Sequence, residues 1–109
     1  MAILIDPFNR SIKQVETSAC IGLQEMYDHL DCSTIEIAPV RLDNTDALIV
    51  DESGLLKDNQ MFFQFDGQAF AGKGLLVGTN EEGDMTRCMS DLDSIIEKVR
   101  FQSPLTLVT

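Results

Sequence analysis

Short apolar segments separated by hairpin-length turns run through most of this 109-residue chain. That spacing constrains the fold more than any other feature. Strands joined by a few residues pair antiparallel with their neighbours, whereas a parallel pair needs a crossover of a dozen residues or more. Asp66-Gly67 between two apolar stretches is the strongest local case, because both residues tolerate the positive φ of a two-residue hairpin turn.

The other extended segments follow from the same logic of β-branched residues between turn residues. Ala2–Asp6 reads as a first strand, Pro7-Phe8-Asn9-Arg10 as a turn, and residues 11–16 as a second strand. Across residues 34–40, Ile35 and Ile37 alternate with Thr34 and Glu36, the period of a half-buried strand. Asp43-Asn44 forms the next turn, and residues 47–50 run into Asp51-Glu52-Ser53-Gly54, a hairpin connection before Leu55-Leu56. Residues 60–65 place Met61, Phe63 and Phe65 on one face. Gly74–Thr79 is a short apolar strand, and residues 80–83 are a polar turn.

Two stretches carry helical spacing instead. From residue 19 to 30, Ala19, Leu23, Tyr27 and Leu30 make an apolar stripe, with Ser18 as the cap and Glu25, Asp28 and Asp31 toward the other face. A second helix opens at Ser90, where Ser90 and Asp93 have capping-box spacing and Leu92, Ile95, Ile96 and Val99 form the stripe. Asp91 and Asp93 suit its positive end, Lys98 and Arg100 its negative end. Pro104 blocks further helix and leaves residues 105–108 as a last strand. The expected fold is α+β: one small domain over residues 1–109, a mainly antiparallel or mixed sheet of about six strands covered on one face by two helices, in the order ββαβββ…βα.

A hydrophobic content of 44% lets a chain of this length bury a core without metals or disulfides. Cys20, Cys32 and Cys88 are an odd, irregularly spaced set, as expected of reduced thiols. No apolar run approaches the ~20 residues of a membrane span, and Ala2-Ile3-Leu4-Ile5-Asp6 lacks the start of a signal peptide. The expected location is cytoplasmic.

Eighteen acidic residues face eight basic ones, a net charge of −10. Nucleic acids and anionic membranes are therefore disfavoured as partners, and a protein with a basic or neutral surface is favoured. Most of the acids fall in three runs. Residues 14–40 hold Glu16, Glu25, Asp28, Asp31 and Glu36 without a Lys or Arg; Asp43, Asp46, Asp51, Glu52 and Asp58 surround Lys57; Glu81, Glu82, Asp84, Asp91, Asp93 and Glu97 surround Arg87. If their turns share one sheet edge, Glu25, Asp28, Asp31, Asp51, Glu52, Glu81, Glu82 and Asp84 make a negative protein-binding surface. Acids scattered over a soluble exterior are the competing reading.

Chemical motifs are incomplete. Gly67 to Gly74 follows the phosphate-binding loop pattern through Gly72 and Lys73, but Gly74 stands where the magnesium-binding hydroxyl belongs and a strand follows instead of a helix. Asn80, Glu82, Asp84 and Asp91 have part of the spacing of a calcium loop, with Met85 where glycine is required. His29 and Cys32 have no second ligand pair in sequence. No catalytic residue, metal or cofactor is assigned.

From Leu48-Ile49-Val50-Asp51-Glu52-Ser53-Gly54-Leu55-Leu56-Lys57-Asp58-Asn59 through Gly72, Leu76-Val77-Gly78 and Glu82-Gly83, and in its opening Ile3-Leu4-Ile5-Asp6-Pro7, the chain resembles an uncharacterised domain-of-unknown-function family of phages, plasmids and bacteria. The likeness covers most of residues 2–83; Ser53 and the Asp66-Gly67 turn depart from the pattern. It implies a small accessory protein of a mobile element in a bacterial cytosol and lends no catalytic residues. The leading expectation is a non-enzymatic binding module that engages and modulates a host protein, as a counter-defence inhibitor would. The alternatives are a nucleotide-messenger binder using Gly72, Lys73 and Gly74, and a homodimer formed through a strand edge or the Met61-Phe63-Phe65 face.

Overall fold

The computed structural model describes residues 1–40, 42, 44–57 and 60–102. Its elements are β1 (Ala2–Asp6), β2 (Ser11–Val15), α1 (Leu23–Leu30), β3 (Ile35–Ile37), β4 (Ala47–Asp51), β5 (Phe62–Phe65), β6 (Gln68–Ala71), β7 (Gly74–Thr79), β8 (Met85–Thr86), α2 (Leu92–Lys98) and β9 (Val99–Gln102), with one 3-10 turn at Gly54–Leu56. Among the described residues, one sheet runs β2-β1-β7-β4-β3 with β8 added on β7, and a smaller one runs β6-β5-β9. Every pairing is antiparallel.

The register explains why the central strands are apolar throughout. Ile3 lies opposite Leu76, which lies opposite Leu48, while Leu4, Leu75 and Ile49 form the next row. Alternate rows point to opposite faces of a sheet. One face packs Ile3, Ile5, Leu48, Val50 and Leu76 against Phe63 and Phe65 of β5 and Ile95 of α2. The other packs Leu4, Ile49, Leu75 and Val77 against Ile21, Met26 and Leu30. The large sheet is therefore the middle layer, with α1 on one side and the small sheet plus α2 on the other.

Two side chains hold the loops. Asp6 Oδ1 accepts the amides of Phe8 and Asn9, setting the turn after β1. Asp46, buried at the start of β4, accepts the amides of Met89 and Ser90 at 2.8 and 2.7 Å and ties that strand to the segment leading into α2.

The α+β class, the two helices and the order of elements follow the sequence reading, and the Asp66-Gly67 turn has φ of 49° and 86° between Phe65 and Gln68. Several details differ. The first helix begins at Leu23 rather than residue 19, capped by Gly22; Ser18 instead donates its amide to Glu25 Oε2. Its buried stripe is Met26 and Leu30, and Leu23 is exposed. The second helix is capped by Asp91, not Ser90, because Asp91 Oδ1 accepts the Ser94 amide at 2.8 Å while the Ser90 amide is taken by Asp46. Val99 leaves the helix and opens β9. Residues 51–54 make no hairpin: Leu55 and Leu56 lie in the 3-10 turn. The phenylalanine strand belongs to a second sheet, so helices alone do not cover the main one. Asp43 of the expected turn and the expected strand at 105–108 lie outside the described residues.

Candidate functional site

The antiparallel register fixes which loops share an end of the sheet. Ile5 of β1 and Val50 of β4 both lie opposite Gly74, so the loops after β1 and β4 and the link before β7 gather at one end. The turn after β7, residues 80–84, is at the opposite end. The acids proposed as one surface are divided accordingly. Asp31, Asp51 and Glu52 sit at the first end, Glu81, Glu82 and Asp84 at the second, and Glu25 and Asp28 on α1.

Several are also engaged locally. Asp51 is buried, pairs with Lys57 at 2.5 Å and accepts the Ser53 amide. Asp31 pairs with Lys73. Asp28 accepts from Gln24, and Asp84 faces Asn80, whose Oδ1 accepts the Glu82 and Asp84 amides and closes that turn. Glu52, Glu81 and Glu82 are exposed.

A groove of about 80 Å³ lies beside Asp51, lined by Glu36, Val50, Glu52, Leu55, Ala69 and Phe70. Two strand edges flank it. Among the described residues β3 pairs with β4 alone, and β6 with β5 alone. Ala38 donates to the Leu48 carbonyl and Glu52 to that of Thr34, so the even-numbered residues face β4 and the backbone groups of Ile35 and Ile37 point away from it. In β6 the two-residue turn makes Phe65 and Gln68 a bonded pair, which turns the Ala69 backbone outward.

Exposed apolar side chains border the same groove. Leu55, which lines it, and its neighbour Leu56 are 80% and 87% exposed; Ile37 on β3, 58% exposed, lies opposite Ile49 and so on the other face of the sheet. The cause is local. Gly54 is buried so close to Ala71 that a Cβ would lie 2.6 Å from its carbonyl oxygen, and the Asp51–Ser53 bond fixes the approach. With Gly54 pinned inward, the 3-10 turn presents the next two leucines to solvent. Nothing in their composition marks them; an apolar pair after a strand reads as core.

The glycine-rich segment holds a different position. Gly72, at φ +87°, and Lys73 carry the chain from the small sheet to the large one. Gly74 is buried, where a Cβ would meet Phe63 Cζ at 2.7 Å. No helix follows, so no helix terminus offers amides to a phosphate. Gly72 and Lys73 do line a cleft of about 210 Å³, together with Phe8, Leu30, Asp31, Asp51, Lys57 and Gln60. Gly74 does not.

Burial, with Asp51 adding to it, pushes the Cys32 thiol up, and burial with Asp46 does the same for Cys88. Neither environment activates a nucleophile. Among the described residues no helix is long and apolar enough to cross a membrane.

Two antiparallel sheets with one helix over each outer face of the large sheet define a small α+β fold. The chain belongs to the family described as a domain of unknown function, DUF3846, which matches residues 1–100. No curated protein and no solved structure matches it.

Proposed function

We propose that the chain is a non-enzymatic binding module that engages another protein through the face formed by β3, the 3-10 turn and β6. One observation carries this reading: two strand edges with outward backbone groups flank a groove lined by the exposed Leu55, with the equally exposed Leu56 next to it in the 3-10 turn. Exposed edges are ordinarily shortened, charged or covered, and exposed aliphatic side chains gathered at one place mark contact surfaces.

The occupant that suits the face is an extended segment with apolar side chains next to Lys or Arg. Its backbone would add to the β3 edge, its apolar groups would cover Leu55 and Leu56, and its cations would meet Glu36 and Glu52. Thus only Asp51 and Glu52 of the acids singled out in sequence border this face, and Asp51 is already neutralised by Lys57. The family resemblance supports a setting in a phage or other mobile element, where such a module would modulate a host protein in the bacterial cytosol.

The test is cross-linking and capture from bacterial lysate at low salt with wild type, Leu55→Ser/Leu56→Ser and Glu36→Lys/Glu52→Lys. Because these side chains are exposed, stability should move by no more than about 0.5 kcal/mol. A partner cross-linked near β3 and lost from both variants supports the proposal. Undiminished capture by both variants would refute it, as would a concentration-dependent homodimer removed by the leucine substitutions, which would identify a second copy as the occupant.

A further inference from the structure

The cleft between the turn after β1, the end of α1 and the Gly72-Lys73 link shares only Asp51 with the groove just described, and its chemistry is different. We propose that it binds a small zwitterion of amino-acid size, with the ligand carboxylate at Lys73 and its ammonium group at Asp31.

Charge selects the class. Among the described residues, the ionised groups lining the cleft are Lys57, Lys73, Asp31 and Asp51, two of each sign. A ligand with net charge leaves one kind uncompensated, and an anion also meets the field of a protein carrying −10. A zwitterion satisfies both signs at once and brings no net charge into that field.

The two ion pairs are not equivalent. The Asp51 side chain is 4% exposed and holds both Lys57 and the Ser53 amide, so it is a fixed wall. In the other pair Asp31 is 70% exposed and Lys73 19%. Asp31 is the solvated half of this pair and can turn to water, whereas Lys73 is largely covered and needs an anion in its place, which the ligand carboxylate supplies. Lys73 and Asp31 then each exchange one partner for another of the same sign.

Size and shape narrow the ligand further. About 210 Å³ is smaller than the ~300–1,000 Å³ of pockets that enclose drug-sized molecules, which suits a ligand of amino-acid size. The apolar surface comes from buried Leu30 and from Phe8, 45% exposed at the rim and positioned by the Asp6 bond to its amide. An aliphatic or aromatic side chain on the ligand would rest against these two.

The experiment is a titration of isotope-labelled protein, followed by amide shifts, with L-phenylalanine and L-leucine as probes. The comparison compounds are 3-phenylpropionate, phenethylamine and inorganic phosphate. Saturable shifts at Phe8, Gly72 and Lys73 with the amino acids are expected, at least about tenfold weaker for either single-charge analogue and for Lys73→Ala or Asp31→Ala. Lys73→Arg should restore binding in part, since it keeps the cation. No saturable shift at millimolar amino acid, equal binding of phosphate or phenylpropionate, or unchanged binding by both alanine variants with native spectra would overturn the assignment.

Discussion

Gly74→Ala tests whether the glycine that completes the phosphate-loop pattern is there for packing. The added Cβ would stand 2.7 Å from Phe63 Cζ and 3.2 Å from Leu48 Cδ1, and both neighbours are fully buried. Real Cβ contacts do not occur at the first distance, so Phe63 must shift within a core that also holds Ile3, Ile5 and Leu76. Overpacking of this kind costs about 1–3 kcal/mol, and replacing glycine in a strand returns roughly 0.5–1 kcal/mol by restricting the unfolded chain. Taking the middle of each range, the net loss should be about 1 kcal/mol. With a urea m value of about 2 kcal/mol per molar, the midpoint falls by roughly 0.5 M at constant m.

A double-mutant cycle isolates the cause. Phe63→Leu removes the ring edge that the new methyl would strike, so Gly74→Ala/Phe63→Leu should be more stable than the sum of the single losses by about 0.5 kcal/mol or more. Gly78→Ala should be worse than Gly74→Ala, because its Cβ would lie 2.3 Å from the Arg87 carbonyl oxygen, which belongs to backbone and cannot rotate away. A Gly74→Ala protein as stable as wild type, or strictly additive losses in the cycle, would refute the packing argument.

Two further outcomes follow from ionisable groups. Limited alkylation at neutral pH should mark exposed Cys20 first, with Cys32 and Cys88 slower and accelerating as pH rises, since burial and the nearby Asp51 and Asp46 keep their thiols protonated; equal labelling of Cys20 and Cys32 by peptide mapping would contradict this. Hydrogen bonds from Ser94, its amide foremost, hold the Asp91 carboxyl below the usual carboxylate range, so its contribution to α2 is complete above the unfolded value and is lost as pH falls through the acidic range. Asp91→Asn, which still caps, should therefore lose less in Tm than wild type between about pH 6 and pH 3, and parallel curves would contradict the assignment.

The strands were legible where two cues coincided. Asp66-Gly67 sits between alternating residues, and the apolar run in β7 matches its burial on both faces. The buried face of the first helix is ambiguous in sequence because two stripes share Leu30: Ala19, Leu23 and Tyr27 lead to it at one spacing, Met26 at another. The sheet beneath decides, since Ile21 and Met26 pack on Leu75 and Val77. The second sheet was hidden by Val99, which extends the helical stripe of Leu92, Ile95 and Ile96 yet begins the strand that pairs with β5. Residue spacing does not carry the long-range contact that breaks the tie.

The sites were less legible for a related reason. Exposure of Leu55 and Leu56 depends on a single close approach between Gly54 and Ala71, and the cleft depends on Lys73 meeting Asp31 from a distant part of the chain. Charge counts identified the surplus of carboxylates. Only the strand register assigns them to opposite ends of the molecule.

That register also sets an order of events during synthesis. β1 pairs with β2 at once, but its other edge waits for β7, and β7 also joins β1 to β4. Until Gly74–Thr79 leaves the ribosome, Ile3, Leu4 and Ile5 remain in a hairpin with an open side, and the nascent chain has no middle strand to assemble around. Such distant pairing makes folding slow and leaves the early segments vulnerable to association with other chains. A transcript truncated between β4 and β7 yields one chain carrying two separate strand pairs, β1-β2 and β3-β4, without the strand that joins them.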